Sequence, residues 1–578
     1  VNSSNENQEP VMIMWRYYAL LAMLTLVILT LLGRAVHLHI FEQSFLSYQG
    51  DVRSIRYERI PGHRGTISDR NGDPLAISAA VETIYANPSE IELNEKEYAR
   101  LASALSVNKK WLKKRLESNT SKKFVYLKRK TSPHEARQAM QLGFTGIYSR
   151  REYKRFYPAG EVAAHVVGFA NIDEQGQEGI ELAYNDWLNG SEGKKRVVKN
   201  RAGQVIKDLG TTELAKPGKD ISLSLDMRLQ YLAYRELKAA VDTHKARSGS
   251  LVLLDVESGE VLAMVNQPSF NPNNRQNLNV SHLRNRAITD LFEPGSTMKL
   301  VTMAAALASD KYSLSSPIET APGYLRLGGR SIRDHKNYGR LSLLDVIKKS
   351  SNVGTSKIAL DLGPEALWDM FYVLGLGQGT GIGFPGENIG QLPDPFSMRP
   401  VELAAMSYGY GLSTTALQLA QAYMILGNGG HKHSLSLIRK EQNDASLQVL
   451  SSDISADLVQ SMRAVVEKGG TGTRAQVPLY AVGGKTGTVH TVGRNGYNSD
   501  EYKALFAGVA PTSKPKIAAV VVIEAPAGAE YYGGEVAAPV FSRVINGAMR
   551  ILDVAPDDLA PLMHANQESA LADEGKRG

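Results

Sequence analysis

The chain has 578 residues, 66 basic and 59 acidic side chains, a formal net charge of +7, 12 histidines and no cysteine. Those figures exclude disulfide frameworks, cysteine nucleophiles, iron–sulfur clusters and thiolate zinc sites. A composition 43% hydrophobic and 22% charged excludes a fully disordered or collagen-like chain, and the length predicts several units with packed cores.

The first predicted element is a membrane span. The 17 residues Tyr17–Gly33 carry no charge and lie between Arg16 and Arg34. As a helix they span about 26 Å. That is slightly short of a hydrocarbon core of about 30 Å, a gap that snorkelling of the two arginines closes. Trp15, Tyr17 and Tyr18 stand where an interfacial aromatic belt would lie. No small-residue cleavage pattern follows Gly33, so the segment reads as an uncleaved anchor over 17–36 with a cytoplasmic tail at 1–16. Charge sets the orientation weakly. The roughly 540 residues after the anchor set it better.

Residues 37–217 form a charge-rich, mixed region. Within it Lys109, Lys110, Lys113, Lys114, Arg115, Lys122, Lys123, Lys128, Arg129 and Lys130 make a basic cluster. A nucleic-acid reading would need aromatic side chains to stack on or a known fold, so the cluster reads as a solvated or anion-facing surface and no nucleic-acid partner is expected. From 218 to 554 the pattern changes. Leu251–Val256 and Val261–Val265 flank a Glu-Ser-Gly-Glu turn and read as a β-hairpin. Ala481–Val489, Ala504–Val509 and Ile517–Ile523 read as strands, and Val401–Leu426 as one long helical stretch. Strands at both ends with helices between them predict an α+β domain with one antiparallel sheet. The polar segment 555–578 reads as a disordered tail.

Two patterns are discounted. Gly381–Gly386 fits G-x-G-x-x-G, but Pro385 sits inside it and other glycines crowd it, so it is a glycine-rich loop rather than a dinucleotide fingerprint. The pairs His37/His39 and His431/His433 lack further ligands in the sequence, so neither metal nor cofactor is expected.

Three short motifs carry the chemistry. Ser296-Thr-Met-Lys299 follows Glu293-Pro-Gly and begins an apolar helix, where residues three apart share a face. Ser296 Oγ and Lys299 Nζ can therefore meet. A hydroxyl needs a base, and lysine needs a pKa lowered by about 3 units to serve as one at neutral pH. Burial and a second cation both act in that direction. Ser350-Ser351-Asn352 follows on a helix beginning near Leu341. Lys485-Thr486-Gly487-Thr488 follows on a strand, where Lys485 and Gly487 share a face and Gly487 leaves room for a substrate backbone. Any one motif is weak. The trio in this order, with gaps of 54 and 133 residues, is specific to serine β-lactamases and penicillin-binding proteins.

On these motifs the chain resembles the class B penicillin-binding proteins, most closely the division-specific D,D-transpeptidases of the FtsI type. Arg64-Gly-Thr-Ile-Ser-Asp-Arg-Asn-Gly72, Arg155-Phe-Tyr-Pro158 and Gly176-Gln-Glu-Gly-Ile-Glu181 resemble the family's pedestal motifs, and Gly383-Phe-Pro-Gly-Glu387 also fits. The resemblance implies an α+β architecture: a single transmembrane helix, a mixed pedestal of the dimerisation type, and a serine β-lactamase-like transpeptidase domain. It implies that Ser296 attacks a stem peptide ending in D-Ala-D-Ala with Lys299 as base. Ser350 and Lys485 then relay a proton, Asn352 holds the substrate amide, and Thr486 and Thr488 hold the terminal carboxylate. The N–H groups of Ser296 and Thr488 would form the oxyanion hole. Tyr408, Tyr410 and Tyr532 would form an aromatic wall. Implied partners are β-lactam antibiotics, a membrane glycosyltransferase of the FtsW type and other division proteins. The implied location is the inner membrane at the septum, with the catalytic domain in the periplasm. Relatives often carry Arg two positions after the last Thr. Here His490 stands there, and a neutral imidazole cannot make a bidentate fork with a carboxylate.

The alternatives are a serine β-lactamase, a β-lactam sensor and a division scaffold with little catalysis of its own. A class A β-lactamase needs the Glu of E-x-x-L-N between the second and third motifs. That pattern occurs only at Glu90–Asn94, far upstream of Ser296, which predicts slow hydrolysis of the acyl-enzyme. A sensor usually has several spans and this chain has one. A scaffold has no need of the intact trio.

Overall fold

The computed structural model describes residues 14–60, 62–199, 205–276, 278–442, 444–493 and 496–558. The sequence expectations for residues 1–13 and for the tail from 559 onward lie outside the described residues.

An α-helix runs over Met14–Val36 and continues through one π-turn, His37–Phe41. Its 23 α-helical residues make it longer than the uncharged stretch alone, about 35 Å. None of it is buried, and Met14–Phe41 is long and apolar enough to cross a membrane. A leucine-rich helix with no protein face to cover it is the arrangement of a lipid-facing span.

By internal contacts the chain divides into two compact units that interleave along the sequence. One contains residues 1–62, 81–152 and 191–216, the other 63–80, 153–190 and 217–578. The composition boundary at 217/218 thus follows the sequence, while the units exchange segments.

In the first unit, Ile55–Ile60, Gly193–Lys199 and Val205–Glu213 form a three-stranded antiparallel sheet. A separate core joins Ile84, Leu101, Leu112, Leu116 and Leu127 beneath helices Glu95–Ala104 and Lys109–Glu117. Glu90–Asn94 belongs to this unit and has local duties. Glu90 accepts from Tyr148 Oη (2.5 Å), and Asn94 caps the following helix through the N–H groups of Lys96 and Glu97. The E-x-x-L-N match is therefore part of a helix start.

The second unit is built on a five-stranded sheet in the order Val261–Gln267, Ser248–Asp255, Ile517–Glu524, Gly496–Ala510, Gly483–Gly493, every pair antiparallel. Its inner strands read as unbroken apolar runs because helices cover both faces. Val252, Leu254, Val520 and Val522 enter a core with helices Lys299–Ala308 and Ala416–Gly427. Leu251, Leu253, Val521 and Ile523 enter another with helices Met227–Thr243 and Ala538–Ile551. All twelve residues of Ala416–Gly427 are buried, as its apolar circumference requires. The α+β architecture is as expected, with the motif strand Gly483–Gly493 at the sheet edge.

The stretch 401–426 corrects an expectation: it is two helices, Pro400–Met406 and Ala416–Gly427, not one. Between them Gly409 and Gly411 adopt φ of +86° and +76°, a region that excludes helix continuation.

The three pedestal motifs converge inside the second unit. Arg64 Nε donates to Glu181 Oε2 (2.5 Å) and Arg155 Nε to Glu181 Oε1 (2.6 Å). Arg64 also donates to the carbonyls of Glu174 (3.0 Å) and Glu181 (2.7 Å) and to the side-chain oxygens of Asn185 (3.0 Å) and Asn189. Glu181 is fully buried, and the two arginines nearly so.

Candidate active site

Ser296 lies in a short 3₁₀ turn, Gly295–Met298, and Lys299 opens the α-helix that follows. In a 3₁₀ turn residues three apart nearly eclipse, so both side chains leave on one side. Gly295 has φ +55°, and a Cβ there would meet Val489 Cγ1 at 2.3 Å. Its N–H donates to Gly409 O (3.0 Å), while a Cβ on Gly409 would meet Gly295 O at 2.1 Å. Only paired glycines permit this approach, which pins the Tyr408–Tyr410 loop to the nucleophile turn. Behind the turn, the buried Tyr423 hydroxyl donates to Thr297 O (2.9 Å).

The second motif is not on one helix, which corrects the sequence reading. Helix Leu343–Lys348 ends, Ser350 takes φ +57°, and Ser351 caps a new helix, Asn352–Leu362. A serine held in the left-handed region marks a backbone shaped by its surroundings. The break places the Ser350 hydroxyl between two lysines. Lys299 Nζ lies 3.1 Å from Ser350 Oγ and Lys485 Nζ 3.0 Å from the same oxygen. Lys299 also donates to Ser350 O (2.6 Å) and Asn352 Oδ1 (2.7 Å). Among the described residues no hydrogen bond joins Lys299 to Ser296 Oγ, the looser geometry usual for a catalytic pair before substrate binds.

Both lysines are fully buried. Burial drives Lys485 down to about 7. Lys299 is pushed well below the ordinary lysine range, first by burial and then by the charge of Lys485, with Asp334 opposing. These are the conditions that turn an ammonium into a base.

Asp334 escaped the sequence reading. Its carboxylate accepts from Ser351 Oγ (2.6 Å) and from the N–H groups of Asn352 (2.6 Å) and Val353 (3.0 Å). A carboxylate at a helix start is favoured by the dipole, and here it also fixes the motif's turn. Asn352 Nδ2 is held by Arg333 O (3.0 Å). An aspartate 17 residues from Ser351 has no local pattern that would reveal it.

On the edge strand, Thr486 Oγ1 and Thr471 Oγ1 are 2.8 Å apart, and Thr488 Oγ1 accepts from Gly533 N (2.9 Å). Thr471, too, was not marked by any motif. The space at Gly487 serves the protein itself: a Cβ would lie 3.1 Å from Pro294 O and from Leu505. The glycine lets the strand sit against the turn that carries Ser296.

The three tyrosines make their ring contacts in two separate groups. Tyr408 and Tyr410 pack edge to face at 5.6 Å. Tyr410 is pushed up to about 12 by burial and by Glu293. Tyr532 instead ends a separate row, Tyr532–Tyr531–Tyr502–His490, with successive ring separations of 4.4, 4.5 and 4.6 Å. His490 is thus a stacking member of that row. Tyr502 and Tyr531 were not anticipated.

Among the described residues no cluster of three potential metal ligands occurs. The groups brought together are a serine hydroxyl and two buried amines.

The family described as "Penicillin binding protein transpeptidase domain" matches residues 249–546, and "Penicillin-binding Protein dimerisation domain" matches 59–223. The peptidoglycan D,D-transpeptidase FtsI of Escherichia coli is 41% identical over 553 residues, 95% of this chain and 93% of that protein. A probable peptidoglycan D,D-transpeptidase, PbpC of Pseudomonas aeruginosa, is 41% identical over 545 residues, 94% and 96% of the two chains. Among solved structures, the transpeptidase domain of Burkholderia pseudomallei penicillin-binding protein 3 is 38% identical with a TM-score of 0.54, covering 58% of this chain and 98% of that one. Penicillin-binding protein 3 of Mycobacterium tuberculosis, complexed with aztreonam, is 26% identical with a TM-score of 0.67, covering 87% and 98%. With both domain families matched in order and a full-length relative at this identity, the chain belongs to the class B penicillin-binding proteins, as a peptidoglycan D,D-transpeptidase of the FtsI type.

Proposed function

We propose that Ser296 is the acyl-accepting nucleophile of a D,D-transpeptidase that cross-links stem peptides ending in D-Ala-D-Ala during septal wall synthesis. The observation that carries this reading is the buried chain Lys299–Ser350–Lys485, two depressed amines joined through one hydroxyl.

Ser296 Oγ attacks the penultimate D-Ala carbonyl as its proton passes to neutral Lys299. The N–H groups of Ser296 and Thr488 hold the oxyanion, each donor worth about 2.7–4 kcal/mol. The C–N bond then breaks, and the departing D-Ala amine takes a proton through Ser350 and Lys485. Asn352 orients the substrate amide, and Thr486 and Thr488 with Lys485 receive the terminal carboxylate. An amine of a neighbouring stem attacks the ester, forms the cross-link and returns the proton to Ser296. A β-lactam acylates the same oxygen, but its leaving group stays tethered and no deacylating carboxylate stands in the motifs, so the adduct persists.

Residues 17–36 serve as the inner-membrane anchor, 37–217 as the pedestal and 218–554 as the transpeptidase domain in the periplasm. Anchor and pedestal recruit a glycosyltransferase of the FtsW type and other division proteins. Intact-mass measurement after penicillin exposure tests the site: one stable adduct is expected on Ser296, and an adduct that survives Ser296→Ala refutes the assignment. Fluorescent penicillin on cells tests the location: septal signal is expected with the native anchor and its loss when Tyr17–Gly33 is exchanged for an unrelated span.

A further inference from the structure

The hairpin tied to Asn352 through Arg333 O is basic. Strands Tyr324–Leu327 and Arg330–Arg333 form a hairpin, with Leu325 opposite Ile332 and Leu327 opposite Arg330. From Tyr324 to Arg340 the sequence holds Arg326, Arg330, Arg333, Lys336 and Arg340. The only acid there is Asp334, already engaged by Ser351 and the start of helix Asn352–Leu362. All five cations are exposed, and none is in an ion pair among the described residues. Arg326 and Lys336 lie over Tyr324 and Tyr338 instead, at 5.4 and 5.5 Å. Elsewhere exposed cations such as Lys113 do meet a carboxylate, here Glu95 at 2.5 Å. A cluster left unpaired beside a reaction centre keeps its field for an incoming anion.

The hairpin is tied to the site at one end. Arg333 O accepts from Asn352 Nδ2, and Asp334 follows directly. At the other end, the charge of Arg330 reaches Tyr408 on the nucleophile side and Glu402, whose carboxylate is itself held by Arg399 Nε (2.9 Å). Arg330 is three residues from Arg333, about 10 Å along a strand. An extended peptide covers the same span in two to three residues, at about 3.5 Å each. The terminal carboxylate of the donor is matched to Thr486, Thr488 and Lys485, so a second carboxylate on the peptide needs a second cation.

We propose that this hairpin, through Arg330, is a subsite for a carboxylate of the donor stem peptide two to three residues upstream of the reacting D-Ala. The subsite deepens the transpeptidase reading and rests on it. Arg330 would act as a specificity residue through a solvent-exposed charge contact, so the effect is moderate and falls as salt rises.

The test uses the full chain in detergent and two thioester donors. One is N-acetyl-γ-D-glutamyl-L-lysyl-D-alanyl thioglycolate with a free glutamate α-carboxylate, the other its α-amide. Wild type is expected to favour the free acid in kcat/KM by about fivefold, the range of an exposed charge pair. Arg330→Gln is expected to remove the preference and Arg330→Lys to keep most of it. Because the readout is a ratio within each protein, partial misfolding of a variant does not affect it. Equal use of both donors by wild type, or a preference surviving in Arg330→Gln, overturns the subsite. Parallel labelling with penicillin separates the two levels. An adduct on Ser296 with no donor preference sinks the hairpin alone, whereas no adduct sinks the transpeptidase reading and the hairpin with it.

Discussion

Two of the buried charge clusters in the second unit use their charge in opposite ways. At Arg64–Glu181–Arg155 two guanidinium groups fork onto the two oxygens of one carboxylate, and backbone carbonyls and asparagines take most remaining donors. Arg155 Nη2 is the exception, buried without a partner among the described residues. At Lys299–Ser350–Lys485 two buried amines face one hydroxyl, and the nearest carboxylate, Asp334, is occupied by backbone N–H groups. The first cluster satisfies its ions and holds motif segments together. The second leaves its ions under-compensated, so burial shifts their proton affinity. Guanidinium suits the first task because it stays charged and bidentate, and the lysine amine suits the second because it can give up its proton.

Breaking each cluster should therefore register on a different instrument. Lys299→Met is expected to cut the rate of acylation by penicillin by about 10³-fold, within the range of a lost general base. Its urea midpoint should hardly move. Relief from desolvating an amine offsets the donors lost to Ser350 O and Asn352 Oδ1. A large drop in stability with little loss of rate would reverse the assignment of roles. Glu181→Gln is the counterpart. It leaves two buried cations facing a neutral amide and is expected to cost about 3–5 kcal/mol of stability. The fraction that stays folded should still take up one penicillin per chain. A midpoint unchanged in urea would mean that water or rearrangement compensates the arginines.

What was legible from the sequence follows the same division. Lys299 and Lys485 could be singled out because each sits in a short motif and the three motifs follow one another in a set order. The inner strands could be read because doubly covered strands must be apolar. Arg64, Arg155 and Glu181 could be placed in motifs, but their meeting could not, since it joins segments 117 and 26 residues apart. The break at Ser350 was invisible because left-handed backbone on a serine is imposed by tertiary contacts rather than by local preference. The loop at Gly409 and Gly411 was missed in favour of helical periodicity on either side. The aromatic row from His490 to Tyr532 draws its rings from three separate segments of chain, so no spacing rule could group it.

Asp334 links the two modes, since it is both a structural cap and an electrostatic neighbour of Lys299. Asp334→Asn keeps an acceptor but removes the charge. Losing a charged contact to the Ser351–Val353 turn is expected to slow acylation by about five- to tenfold, the size of a helix-start interaction. The sharper readout is the pH profile. In wild type acylation should climb through about pH 7 as the buried lysine pair, of which Lys485 sits near that value, loses its proton. The apparent limb belongs to the pair rather than to one residue. Asp334 raises the proton affinity of Lys299, so removing its charge lowers that affinity further. Neutral Lys299 then persists to more acid pH, and the limb should move down. A purely structural role would lower the rate at every pH and leave the limb in place. That result would confine Asp334 to capping and leave the depressed lysines to burial and mutual repulsion alone.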